Sequence, residues 1–242
     1  MKTDPANTWL SGNAQAEEYV SSADVIIVER ERTTKLLLDL FGYHFGGAAG
    51  LRVLDLGCGD GALMERLRER HPGHAYVLMD GSRAMLDKAR QRLPGDDVTF
   101  VRQTFEEYVD RAPEDQVYDC VFSSNAIHHL DWLGKGRMFA HVYRELEHGG
   151  LFVNIDPVQP SSERSERWQF HMWVDWVNET LRRRGREDDV GTYDDLPATY
   201  KAKPENKPSS LPDQLELLRR IGFRDVDCIY KYGIFAMFAG VK

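Results

Sequence analysis

The stretch Val53-Leu54-Asp55-Leu56-Gly57-Cys58-Gly59-Asp60-Gly61-Ala62-Leu63 constrains the fold of this chain more than any other. Its first half is a short apolar run of the kind that makes a buried parallel strand. Its second half is a glycine-rich turn leading into an amphipathic helix. Glycines at 57, 59 and 61 let the backbone take positive φ and leave room for a ligand to lie directly against it. The turn reads as a cradle.

The spacing Gly57-x-Gly59-x-x-Ala62 also satisfies a relaxed dinucleotide fingerprint. Asp55 argues against a phosphate there. A carboxylate two residues before the first glycine is costly to bury unless it accepts hydrogen bonds from the loop or from a cationic ligand. A second apolar run, Tyr76-Val77-Leu78-Met79-Asp80, ends in an acid about twenty residues past the glycines, placed to accept the hydroxyls of a ribose. NAD meets that requirement as well as other nucleoside cofactors do. Two further segments follow, Tyr118 to Leu130 (YDCVFSSNAIHHL) and Glu145 to Asp156 (ELEHGGLFVNID).

The ordered set VLDLGCGDG (53–61), the acid of MDGSRAML at Asp80, VTFVRQTFEEY (98–108), YDCVFSSNAIHHL and HGGLFVNID (148–156) resembles a class I S-adenosylmethionine-dependent methyltransferase of the small-molecule type. It covers residues 51 to 156, with a similar tail at 221–242. The resemblance implies S-adenosylmethionine as cofactor. It places Asp55, Gly57, Cys58, Gly59, Asp80, Gly81, Met85, Gln103, Thr104, Phe105, Ser123 and Asn125 around that cofactor, and Tyr19 or Arg30 of the leader at its carboxylate. Gln103-Thr104 stands where the family places Gly-Asp, so the adenine loses its usual carboxylate reader. The Thr104 hydroxyl and the Phe105 backbone N–H are left to recognise it.

Along the chain, residues 14–45 read as a helical leader with a break near Ser21-Ser22-Ala23-Asp24. Strands are expected at 52–56, 75–79, 98–101, 120–123 and 151–155, with helices at 62–70, 82–92 and 135–147 between them; Gly149-Gly150 ends the last of these. Glu106 and Glu107 read as the solvated first turn of a short helix. This alternation gives a doubly wound, Rossmann-like α/β sheet. The tail, 226–230 and 234–239, completes seven mostly parallel strands, and the resemblance makes the last one antiparallel.

The expected organisation is one methyltransferase domain over 1–242, carrying the leader and a helical lid inserted at 157–210. Within the insertion, Trp168, Met172, Trp176 and Thr180, joined by Trp173 and Val177, make a stripe where methyltransferases of this kind carry an acceptor-binding lid. Arg182-Arg183-Arg184 complements the helix dipole. Tyr193, Tyr200, Lys201 and Lys203 are available to a substrate.

The catalytic candidates are His128 or His129 as base for a protonated acceptor, with Asp156, beyond strand five, as orienting partner. The two histidines point in different directions and share no metal, and no metal site is expected. The leading function is methyl transfer to a small-molecule acceptor. The alternatives are a non-methylating S-adenosylmethionine enzyme resembling a carboxy-S-adenosylmethionine synthase, or a non-catalytic cofactor-binding partner subunit.

Net charge −8 argues against a nucleic-acid partner held by phosphate neutralisation. Three dispersed cysteines read as buried free thiols. No run approaches the ~20 apolar residues of a membrane span and the N-terminal segment lacks a signal-peptide pattern, so a cytoplasmic protein without membrane contact is expected. A homodimer stays open as its assembly.

Overall fold

A computed structural model of the chain describes residues 13–112 and 117–242. The side chain of Tyr19 lies outside what is described. Seven strands, β1 (Arg52–Leu56), β2 (Ala75–Asp80), β3 (Val98–Arg102), β4 (Tyr118–Ser124), β5 (Leu146–Pro157), β6 (Arg224–Tyr232) and β7 (Phe235–Val241), form one sheet in the order β3-β2-β1-β4-β5-β7-β6. The first five are parallel, and β7 runs antiparallel to both β5 and β6. This is the doubly wound order expected, with β1 and β4 meeting at the point where the strand order reverses. Open sheets of this kind bind ligands in the crevice beyond the carboxyl ends of such strands.

Helices cover both faces: α1 (Asn13–Ile26), α2 (Arg30–Phe45), α3 (Ala62–Arg70), α4 (Arg83–Arg92), α5 (Phe105–Asp110), α6 (Trp132–Glu145), α7 (Glu163–Arg183), α8 (Leu196–Ala202) and α9 (Leu211–Ile221). Strand alternation sorts β1 between two cores. Leu54 and Leu56 pack with Val121 and Phe152 on one face; Val53 packs with Leu67, Leu78 and Phe122 on the other. Each fully buried aliphatic side chain contributes roughly 1.5–3 kcal/mol, so a one-residue slip in β1 would reverse both faces at a cost the fold cannot carry.

A third core fixes the leader to the insertion. Val25 and Ile27 pack with Trp173, Val177, Leu181 and Phe235. The Trp173 indole N–H donates to the Ile26 carbonyl at 2.8 Å. The insertion helix therefore seats the leader against the end of the sheet.

Three sequence expectations are corrected. The leader stays helical through Ser21–Asp24, where Ala23 and Val25 are buried, and breaks instead at Ile27–Glu29, with Glu29 at φ 54°. The helix before β5 ends at Glu145, and Gly149-Gly150 lies inside β5. There residues 147–150 loop out of register between the Tyr118↔Leu146 and Cys120↔Leu151 pairs, as a bulge suited to glycine. Trp168 leaves the insertion's apolar stripe and is 61% exposed, because the buried face of α7 is Gln169, Trp173, Val177, Thr180 and Leu181.

Candidate functional site

The turn after β1 is held by β2. The N–H groups of Gly57 and Cys58 donate to the Met79 carbonyl at 2.8 and 3.0 Å. One oxygen of Asp80 accepts from Gly59 N–H at 2.9 Å, and the other accepts from Ser82 N–H at 2.7 Å. Asp80 thus braces the loop with both oxygens, a task its position at the end of β2 did not announce. All three glycines have positive φ, yet they do different work. A Cβ at Gly57 would lie 2.5 Å from Cβ of Ala126, and one at Gly61 would press on Leu93, Ala89 and Leu78; one at Gly59 would meet nothing within 4 Å. Gly59 opens to a ligand. Gly57 is reserved for packing against the end of β4, which corrects the idea that its missing side chain makes space for the cofactor.

Above Gly59 lies a cavity of about 1160 Å³. It exceeds the ~300–1,000 Å³ typical of a single small-ligand site, leaving space for a second molecule beside a nucleoside. Its walls are the turn after β1, Ser124 and Asn125 after β4, the α1–α2 break, and Trp176, Thr180, Arg183 and Arg184 of α7. Arg30 lines it while paired with Asp24 at 2.5 Å. Asn125 holds φ 54°, strained for a residue with a side chain, and its N–H donates to the Ile155 carbonyl at 2.7 Å.

Asp55 is the electrostatic centre of this cavity. It is buried, and its Oδ2 has no hydrogen-bond partner among the described residues. Burial first, then the charges of Asp80 and Asp60, push its carboxyl well above the usual range. An orphaned carboxylate among like charges suits a ligand that brings a positive charge or an N–H group. S-adenosylmethionine carries both a sulfonium and an ammonium.

Beside the cavity, Cys58 is buried with its thiol pushed well above the normal range by burial. Gly81 is buried, and Met85 stands in the first turn of α4, its N–H donating to the cap oxygen of Ser82 at 3.4 Å. Ser123 is fully buried, and its hydroxyl donates to the Leu56 carbonyl at 2.7 Å, so its neighbours Ser124 and Asn125 are the ones that reach the cavity. Gln103 N–H donates to the Asp80 carbonyl at 3.2 Å. The Thr104 hydroxyl accepts from Glu107 N–H at 3.2 Å, and the Glu107 carboxylate accepts from Thr104 N–H at 2.9 Å. Glu107 closes a capping box rather than a merely solvated turn, a pattern legible in Thr104-x-x-Glu107. The Phe105 ring is buried against Gly57.

The second half of the site joins β4 to β5. A 3-10 turn at Ile127–His129 turns the two histidines to different partners, although their rings touch at 4.0 Å. Buried His128 sets Nδ1 2.7 Å from Oδ1 of buried Asp156, whose other oxygen accepts from the Asn154 amide at 3.3 Å. His129 Nδ1 lies 3.1 Å from the Glu205 carbonyl, which can only accept, so that nitrogen carries a proton. Burial first, then the neighbouring charge of His128, push His129 down to about 3, and it is neutral at ordinary pH.

Glu205 and Lys207, near the end of the insertion, hold this turn, and Asn206 between them holds Tyr200. Glu205 meets His129, the Asn206 amide donates to the Tyr200 carbonyl at 2.8 Å, and Lys207 N–H donates to the His128 carbonyl at 2.9 Å. The buried Lys135 ammonium adds bonds to the carbonyls of Leu130 and Lys207. Among the described residues, no group of His, Cys, Asp or Glu is arranged to hold a metal ion, and no helix is long and apolar enough to cross a membrane.

Comparison with known proteins places this geometry. Residues 53–150 match a family described as a methyltransferase domain. The chain is 32% identical over 206 residues to malonyl-(acyl-carrier protein) O-methyltransferase 1 of Ilyobacter polytropus, a match covering 77% of this chain and 74% of that one. It is 33% identical over 151 residues to trans-aconitate 2-methyltransferase of Acidovorax sp. (strain JS42), covering 60% and 54%; the match therefore spans about half the length of that relative. Among solved structures, an O-methyltransferase family protein from Burkholderia thailandensis superposes with a TM-score of 0.60 at 17% identity, over 87% of this chain and 56% of that one. Human N-acetylserotonin methyltransferase in complex with S-adenosylmethionine superposes with a TM-score of 0.52 at 16% identity, over 93% and 57%. The chain belongs to the class I S-adenosylmethionine-dependent methyltransferases.

Proposed function

We propose that this protein transfers the methyl group of S-adenosylmethionine to an oxygen of a small-molecule acceptor. One observation carries the cofactor assignment: the unpartnered Oδ2 of Asp55 and the open face of Gly59 share one cavity. That pairing suits a cationic nucleoside, which favours the ionised form of Asp55, better than the pyrophosphate of NAD, which opposes it. Asp55 and the Gly59 loop would hold the methionine part. Asp80 with Gly81 and Met85 would take the ribose, Thr104 and Phe105 the adenine, and Arg30 or Tyr19 the carboxylate.

When bound, S-adenosylmethionine supplies an electrophilic methyl carbon on a sulfonium that carries its own leaving group. The residues then have to hold an acceptor in line, exclude water and, for a hydroxyl acceptor, remove one proton. We assign that proton to His128 on the strength of its contact with Asp156. Its Nδ1–H is fixed on Asp156, so Nε2 is the basic nitrogen, and Asp156 stabilises the imidazolium that forms. A carboxylate acceptor brings no proton to remove, and positioning then suffices. The leader 14–45 and the insertion 157–210 are read as the walls that admit the acceptor.

The relatives named above act on malonyl-(acyl-carrier protein) and trans-aconitate, both of which carry carboxylates. Trans-aconitate and a malonyl thioester are therefore the first acceptors to offer. The test of the cofactor assignment is calorimetry with S-adenosylmethionine, S-adenosylhomocysteine and NAD. Binding of the first two and not the third is expected. Binding of NAD alone would replace the methyltransferase reading with a dehydrogenase one.

A further inference from the structure

Tyr200, on the short helix α8 of the insertion, has a hydroxyl that is fully buried and without a hydrogen-bond partner among the described residues. Its ring is held edge-on by Trp173 at 5.6 Å and by Phe170 at 6.4 Å, both on α7. Trp173 in turn packs on Phe235 at 5.2 Å, and Phe235 is paired in the sheet with Pro157, next to Asp156. The Asn206 amide bonds the Tyr200 carbonyl from the same three-residue segment whose neighbours bond His128 and His129. The ring and the catalytic pair are thereby fixed to one another through two routes. Burial, with the Asp156 charge adding to it, pushes the phenol up and keeps it a proton donor. A second orphan, the carbonyl oxygen of the Asn154 side chain, lies on the same face of β5, two residues before Asp156.

We propose that the Tyr200 hydroxyl binds the methyl acceptor, donating a hydrogen bond to an acceptor oxygen next to the one that is methylated. A buried hydroxyl without a partner costs free energy, and phenylalanine would fill the same aromatic pocket without that cost. The hydroxyl is explained by a partner that arrives with the substrate. The chemistry selected is an acceptor bearing a carboxylate or carbonyl oxygen. This assignment rests on the methyltransferase reading above.

The test compares wild type with Tyr200→Phe. Calorimetry with S-adenosylhomocysteine should give the same affinity in both; absence of binding to wild type would sink the methyltransferase reading itself. The melting temperature of the free variant should equal that of wild type within about one degree or exceed it, because no bond is lost. With trans-aconitate or the malonyl thioester as acceptor, KM should rise about tenfold while kcat changes less than about threefold. A melting temperature several degrees lower would show that the hydroxyl is spent inside the fold, and this comparison needs no acceptor. That outcome, or an unchanged KM with cofactor binding intact, overturns the assignment of Tyr200 alone.

Discussion

His128 Nδ1 and Asp156 Oδ1 lie 2.7 Å apart although 28 positions separate them in the chain. The pair forms because β4 and β5 are parallel neighbours whose carboxyl ends coincide, with Ser124 opposite Ile155. With a hydroxyl acceptor, His128→Ala should lower kcat by about 10²–10⁴ and leave cofactor affinity nearly intact, since general-base assistance is of that size. His129→Ala should not match it. Equal losses in the two variants, measured by steady-state kinetics, would show that the turn and not the imidazole matters.

Asp55 should report cofactor binding as a proton. Its carboxyl is pushed up in the free protein, and a cationic ligand would favour the ionised form, so binding should release protons. Calorimetric enthalpies measured in buffers of different ionisation enthalpy would reveal the release, and Asp55→Asn should abolish it. The same variant should lose affinity at least about tenfold. An enthalpy independent of buffer in wild type would contradict the account.

Gly57 and Gly59 should separate stability from binding. Gly57→Ala drives a Cβ into Ala126 at a positive φ and should destabilise by ~2–4 kcal/mol. Gly59→Ala carries only the cost of positive φ, ~1–2 kcal/mol, while its methyl group enters the cavity and weakens cofactor binding. Urea titration and calorimetry on both variants check this. The opposite ranking in stability would mean that the cradle is oriented differently.

How far the sequence carried varies along the chain for physical reasons. The strand–glycine–helix unit at 52–70 was legible because burial on both faces and positive φ each leave a residue signature. Gly149-Gly150 misled because glycine marks helix ends and strand bulges alike. The Glu205-Asn206-Lys207 segment that holds the histidine turn left almost no trace, since its bonds run mostly to and from main-chain groups that any residue offers. That each Asp80 oxygen also accepts from a backbone N–H group was likewise hidden, because an acid at a strand end that can hold a ribose gives no sign of the loop it braces.

His129 should make stability depend on pH from below. Its folded pKa is about 3 against ~6.5 unfolded, so the unfolded chain binds more protons between those values. Its contribution is fully present above ~6.5 and is lost as pH falls toward 3, at up to ~1.4 kcal/mol per pH unit. Relative to wild type, His129→Asn should flatten the decline in that window, as measured by urea titration at several pH values. Parallel curves would show that His129 is not buried as described.

The most direct measurement follows label from S-adenosylmethionine carrying a tritiated methyl group into trans-aconitate or a malonyl thioester, with wild type and His128→Ala side by side. The account predicts labelled methyl ester and one equivalent of S-adenosylhomocysteine per turnover from wild type. Because a carboxylate has no proton to give up, His128→Ala should retain near-normal turnover on these two acceptors. Tight binding of S-adenosylmethionine by wild type with no label in either acceptor would contradict the assigned acceptor class. No binding and no transfer would contradict the methyltransferase function itself.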